Sequence, residues 1–161
     1  MEQSHKKTAE EGRFLSFQLS GETYALPIQT VAEIIGLGEI THVPNIAPYM
    51  KGIINFKGKV LPVMDLRKKL ALSETRQQRD NCIVVVEVWS KKIGMIVDSV
   101  RDVVEFQKGQ IEAAPEIRGQ PQNQILTGIG KLPDRVVLLI DPCLILTAEE
   151  VAGHARLASV A

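Results

Sequence analysis

Short apolar runs of 5 to 7 residues, separated by turn signals, dominate the chain and predict a β-rich protein. Phe14 to Leu19 alternates bulky and small residues, Ser20-Gly21-Glu22 makes a turn, and Thr23 to Ile28 returns as the second strand of a hairpin. The stretch on which the rest is organised runs from Met50 to Leu70. There Ile53, Ile54 and Phe56 lead into a Lys57-Gly58-Lys59 turn, Val60, Leu61, Val63 and Met64 return, and Asp65 caps a short helix with a basic last turn. Between the two hairpins, Val31, Ile34 and Ile35 predict a short helix with Gln29 and Glu33 on its wet side, stopped by Gly36 and Gly38. Pro44 and Pro48 then suit an edge strand that runs into an irregular connection.

The second half repeats the first. Tyr24 to Ile35 lies over Ile93 to Val104 at an offset of 69, with Glu33 over Asp102. Met50 to Asp65 lies over Leu126 to Asp141 at an offset of 76, pairing Gly52 with Gly128, Lys59 with Arg135 and Asp65 with Asp141. The seven extra residues fall in Gly109 to Gln124, which reads as a surface loop, and the charged segment Ser73 to Asn81 reads as the linker between the halves. Two such units, each too small to bury much core alone, must pack together. The fold expected is mainly β: two pseudo-symmetric five-stranded SH3-like barrels at about 13–70 and 80–146, with elements able to exchange between them. Residues 1–12 read as a disordered tail, and 147–161 as a C-terminal helix packed on the body. That helix opens on a Thr147/Glu150 capping box and carries Val151, Ala152, Ala155 and Ala158 as its apolar stripe.

Composition narrows the function. Nineteen basic residues balance nineteen acidic ones and aromatics are only 4%, which removes the basic footprint and stacking platforms that nucleic-acid binding requires. No apolar run approaches the roughly 20 residues of a membrane span, and the N-terminal residues lack a hydrophobic export signal, so a cytoplasmic protein is expected. Cys82 and Cys143, both inside apolar runs, read as buried reduced thiols. His5, His42 and His154 are scattered without ligand spacing and read as surface residues; no metal, cofactor or catalytic constellation emerges. Capping accounts for Asp65 and Asp141, which sit directly before helices. Charged turns and glycines open to close approach favour protein binding.

The sequence of Lys51-Gly52, Asn55-Phe56-Lys57-Gly58 and the return Val60-Leu61-Pro62-Val63-Met64-Asp65-Leu66-Arg67 resembles the CheW family of chemotaxis adaptors, and the likeness extends from about Arg13 to the C-terminal helix. The resemblance implies a scaffold without turnover that joins the cytoplasmic tip of a chemoreceptor to the regulatory domain of a CheA-type histidine kinase. The receptor hairpin would lie in the groove between the barrels and the kinase domain would pack end to end against them. Carried over, the contact residues are Val31, Glu33, Gly52, Asn55, Lys57, Gly58 and Val103, with Glu33 and Lys57 as a charged pair on the groove rim. Lys57 stands where most members have arginine and cannot form the planar guanidinium fork. Gly52→Asp is expected to impair receptor coupling more than folding. A same-fold adaptor for surface motility or second-messenger control is the alternative, and a small-ligand barrel a more distant one.

Overall fold

The structure, a computed structural model, describes residues 11–72, 81–114 and 125–160. Most of the expected tail, nearly all of the linker and the end of the 109–124 insertion lie outside them. In chain order the elements are β1 (Gly12–Leu19), β2 (Glu22–Pro27), a 3-10 turn (Ile28–Thr30), β3 (Val31–Gly36), β4 (Met50–Phe56), β5 (Lys59–Asp65) and α1 (Leu66–Lys69). The second half follows with β6 (Cys82–Val88), β7 (Lys91–Val97), β8 (Ser99–Phe106), β9 (Ile111–Glu112), β10 (Leu126–Lys131), β11 (Val136–Ile140), α2 (Pro142–Ile145) and α3 (Ala148–Val160).

Three local expectations change. The helix foreseen at Val31 to Ile35 is a strand, β3, and only Ile28–Thr30 turns helically. Val31, Ile34 and Ile35 are β-branched, and pairing with β6, Glu33 opposite Val85 and Ile35 opposite Ile83, wins over a weak helical period. The expected edge strand near Pro44 reduces to one bridge, Thr41 opposite Ile53, because proline removes ladder donors. The start of the insertion is not loop alone: β9 adds two residues to the edge of β10.

One sheet runs β8-β1-β2-β11-β10-β9 and the other β3-β6-β7-β5-β4, so each takes strands from both halves of the sequence. Their registers repeat. Leu15 opposite Leu26 becomes Val84 opposite Met95 at the offset of 69, and Gly52 opposite Val63 becomes Gly128 opposite Leu139 at the offset of 76. The parallel pairs match too, Val63 with Gly94 and Leu139 with Ala25. Even the turns agree: Ser20 and Gly21 have positive φ, and so do their counterparts Trp89 and Ser90.

Each sheet curls around its own small core, Phe14, Ala25, Val104, Phe106, Val137 and Leu139 in one and Ile54, Leu61, Val63, Ile83, Val85 and Ile96 in the other. The larger core lies between the sheets, where Leu15, Phe17 and Leu26 face Val84, Val86 and Met95. Strands such as β6 are therefore apolar on both sides, which explains the unbroken Ile83-Val84-Val85-Val86 run. Because most apolar burial sits between the sheets, neither barrel is stable without the other.

A buried polar knot closes this junction. Asp65 caps α1 by accepting from the Arg67 amide at 3.0 Å, and the Arg67 guanidinium, 5% exposed, reaches Asp98 Oδ1 at 3.2 Å. Asp98 stands where the chain crosses from β7 to β8, its Oδ2 accepting from the Ser20 amide at 2.8 Å and its own amide donating to the Gln18 carbonyl at 3.1 Å. Arg67 thus ties a helix of one barrel to a hairpin of the other. Asp141 caps α2 in the same way, accepting from the Cys143 amide at 2.9 Å, with cysteine at the place that arginine holds after Asp65. Cys143 is exposed and Cys82 half-buried, so the expected burial of both thiols does not hold.

The C-terminal helix packs on β5 and β7 and opens on the expected capping box, Thr147 and Glu150 exchanging hydrogen bonds at 2.9 and 3.1 Å. Its inward face differs from the predicted stripe: Val151 is buried and Ala155 half-buried, but Ala152 is exposed, and the side chain of Ala158 lies outside the described residues. His154 takes that inward place and is no surface residue. Its Nε2 shares a 2.6 Å hydrogen bond with the Tyr49 hydroxyl, while Lys69 Nζ binds Glu150 Oε2 at 2.8 Å and sits 4.5 Å from the Tyr49 ring centre. Burial pushes Tyr49 up to about 12, helped by the Glu150 charge, so the phenol keeps its proton.

Burial also holds His154 below its ordinary value, with Glu150 opposing and Lys69 reinforcing the shift. The unfolded chain therefore takes up a proton near pH 6.5 while the folded one resists it. Stability from this residue is complete above about pH 6.5 and falls as the pH drops below. Amide exchange in Val151–Arg156, corrected for intrinsic rates, should accelerate relative to β6 between pH 7 and 5.5. Tyr49→Phe should cost about 1 kcal/mol through the lost hydrogen bond to His154, and His154→Gln should abolish the pH response; a response equal to the native one in the glutamine variant would show that His154 does not cause it.

Candidate protein-binding surface

The β4–β5 hairpin turns on Lys57 and Gly58 at φ 54° and 79°, and Asn55 Oδ1 secures the turn by accepting from the Gly58 amide at 3.0 Å. Positive φ at both central places is the geometry that matches strand twist, and it explains why glycine stands at 58. The turn holds Lys57 outward. Its Nζ lies 2.8 Å from Glu33 Oε1 on β3 and 5.3 Å from the Phe56 ring centre. β3 and β4 are opposite edges of their sheet, so this ion pair spans the gap where the barrel closes. The other barrel has an analogous pair: Asp102 on β8, at the place of Glu33, lies 3.7 Å from Arg135 at the β10–β11 turn, which holds the place of Lys59 and not of Lys57.

The structure brings together Glu33, Asn55, Lys57 and Gly58 but not the rest. Val31 is half-buried against the core between the sheets. Val103 stands on β8 in the other sheet, 52% exposed, and its counterpart Ile34 is 43% exposed. Ile34 was masked in the sequence by its assignment to a helix's apolar side; alternation with Glu33 and Ile35 is the signal that places it outward. Gly52 is buried at φ 146°, at a bulge, and a Cβ there would stand 2.1 Å from the Thr41 carbonyl oxygen. The close neighbour is this chain's own backbone, so folding as well as binding is at stake in Gly52→Asp.

Among the described residues no group of three or more His, Cys, Asp or Glu side chains could hold a metal, and no helix is long and apolar enough to cross a membrane. The strands point aliphatic side chains into both barrels, leaving charged rims and scattered apolar side chains outside. Such a molecule falls in the class of double-barrel β scaffolds.

The CheW-like domain family model matches residues 13–150. The chain belongs to this family. It is 34% identical to chemotaxis protein CheW of Klebsiella aerogenes over 139 residues, covering 86% of this chain and 84% of that protein. To chemotaxis protein CheW of Bacillus subtilis it is 33% identical over 143 residues, 89% of this chain and 90% of that one. The crystal structure of scaffolding protein TtCheW from Thermoanaerobacter tengcongensis is similar in fold, with a TM-score of 0.73 and 31% identity over 81% of this chain and 89% of that chain.

Proposed function

We propose that this chain bridges the cytoplasmic tip of a chemoreceptor to the regulatory domain of a CheA-type histidine kinase, by noncovalent contact and in the cytoplasm. The observation that carries the reading is the Glu33–Lys57 pair, set on the rim of a double barrel whose family is that of chemotaxis scaffolds. Both relatives compared above bear the chemotaxis name, which favours this pathway over surface motility or second-messenger control. Val31, Glu33, Gly58 and Val103 complete the proposed contact set; Asn55 supports the turn, and Gly52 shapes the strand behind it.

The side chains of Lys57 and Glu33 are 69% and 37% exposed, so their attraction contributes about 0–1 kcal/mol to folding. Glu33→Ala and Lys57→Ala should leave the melting temperature almost unchanged yet weaken binding of receptor tip or kinase domain several-fold. The double variant should lose less than the sum, and the charge swap Glu33→Lys with Lys57→Glu should recover part of the loss at low salt. Unchanged affinity for both partners would remove this pair from the contact surface.

A further inference from the structure

On one end of the second barrel, the starts of β5 and β7 and the flank of α3 enclose a cleft of about 680 Å³ with four lysines on its walls: Lys57, Lys59, Lys91 and Lys92. Its floor is apolar, formed by half-buried Phe56 and buried Leu61 and Pro62. Glu87 is the one carboxylate in the lining. Lys57 is neutralised by Glu33, but among the described residues Lys59, Lys91 and Lys92 have no ion-pair partner. Glu87 stands opposite Lys92 in the β6–β7 ladder, which leaves an excess of positive charge on one apolar floor in a chain of zero formal net charge, and like charges so gathered repel one another.

The internal repeat supplies the control. At the offsets of 76 and 69, the places of Lys59, Lys91 and Lys92 are held in the other barrel by Arg135, Glu22 and Thr23. Arg135 there is paired with Asp102 and Asp134. The barrel therefore forms equally well without the lysine cluster, and its presence on one side alone calls for a partner.

We propose that this cleft docks an acidic segment of a partner protein, with glutamates or aspartates on the lysines and an apolar side chain on the Phe56–Leu61–Pro62 floor. Lysines act as dispersed point charges on flexible stems, which suits carboxylates spread along a polypeptide better than one phosphate, for which arginine forks converge. The volume lies within the about 300–1,000 Å³ of ligand-holding clefts.

The probe is a fluorescein-labelled peptide of glutamates and leucines, ELEELLEE, titrated against the full chain by anisotropy. Binding should weaken at least tenfold in the triple variant Lys59→Glu, Lys91→Glu, Lys92→Glu, weaken less in the corresponding triple glutamine variant, and fall steeply with salt. Reversal of Lys68, Lys108 and Lys131, away from the cleft, should leave it within twofold. Equal losses in the control triple, native affinity in the cleft triple, or displacement of the peptide by millimolar inorganic phosphate would each overturn the proposal. Melting temperatures of the cleft variants should match that of the native chain, since Lys59, Lys91 and Lys92 stand exposed and have no ion-pair partner among the described residues; the control triple loses the Lys131–Glu112 pair, so its affinity is read at a temperature well below its own melt. Lys57 borders both surfaces and is left native in every variant, so retention of receptor tip and kinase domain by the cleft triple, measured alongside, separates failure of this proposal from failure of the bridging reading.

Discussion

Arg67→Ala should destabilise the protein by about 3–5 kcal/mol, lowering its melting temperature by roughly 10–20 °C. The guanidinium is almost fully buried and faces Asp98 at 3.2 Å and Asp65 at 3.5 Å. Its removal leaves two carboxylates in the interior without their cation, and Asp98 also anchors the Ser20 amide of the opposite barrel. The cost is the penalty of unpaired buried charge, not the modest attraction of an exposed ion pair. Arg67→Lys should recover only part of the loss, because an ammonium cannot reach both carboxylates through a planar fork. Chemical denaturation of both variants measures this; a loss under about 1 kcal/mol for alanine would show that the knot does not hold the barrels together.

Gly52→Asp should leave little folded protein, with a loss of about 4 kcal/mol or more. At φ 146° any side chain is strained, and its Cβ would drive into the Thr41 carbonyl, which accepts from the Ile53 amide at 3.0 Å. The added carboxylate would meet that carbonyl with like polarity. Gly52→Ala separates the two causes: strain and collision remain, charge does not, and most of the loss should persist. Circular dichroism melts decide the matter. Native melting temperature together with lost receptor binding would return Gly52 to the contact surface.

Hairpins were legible because their turns demand particular residues: Ser20-Gly21 and Lys57-Gly58 both adopt positive φ where the sequence places glycine second. The internal repeat was legible because duplicated strands keep their registers, and with it came the two helix-capping aspartates. Val31 to Ile35 was misread because a six-residue strand with three β-branched side chains also satisfies a helical spacing, and only its partner β6 settles the choice. Contacts between distant positions were not legible. Arg67 and Asp98 lie 31 residues apart and Tyr49 and His154 105, and nothing local marks either pair. Glu33 and Lys57 are the exception, foreseen because resemblance to a family placed their elements side by side.

Bridging itself is tested most directly by retention. Beads carrying a purified receptor tip are incubated with the kinase regulatory domain, with and without this chain. The kinase domain should be retained strongly only when the chain is present, and more weakly with the Glu33→Ala, Lys57→Ala variant; a chain that retains neither partner would contradict the account.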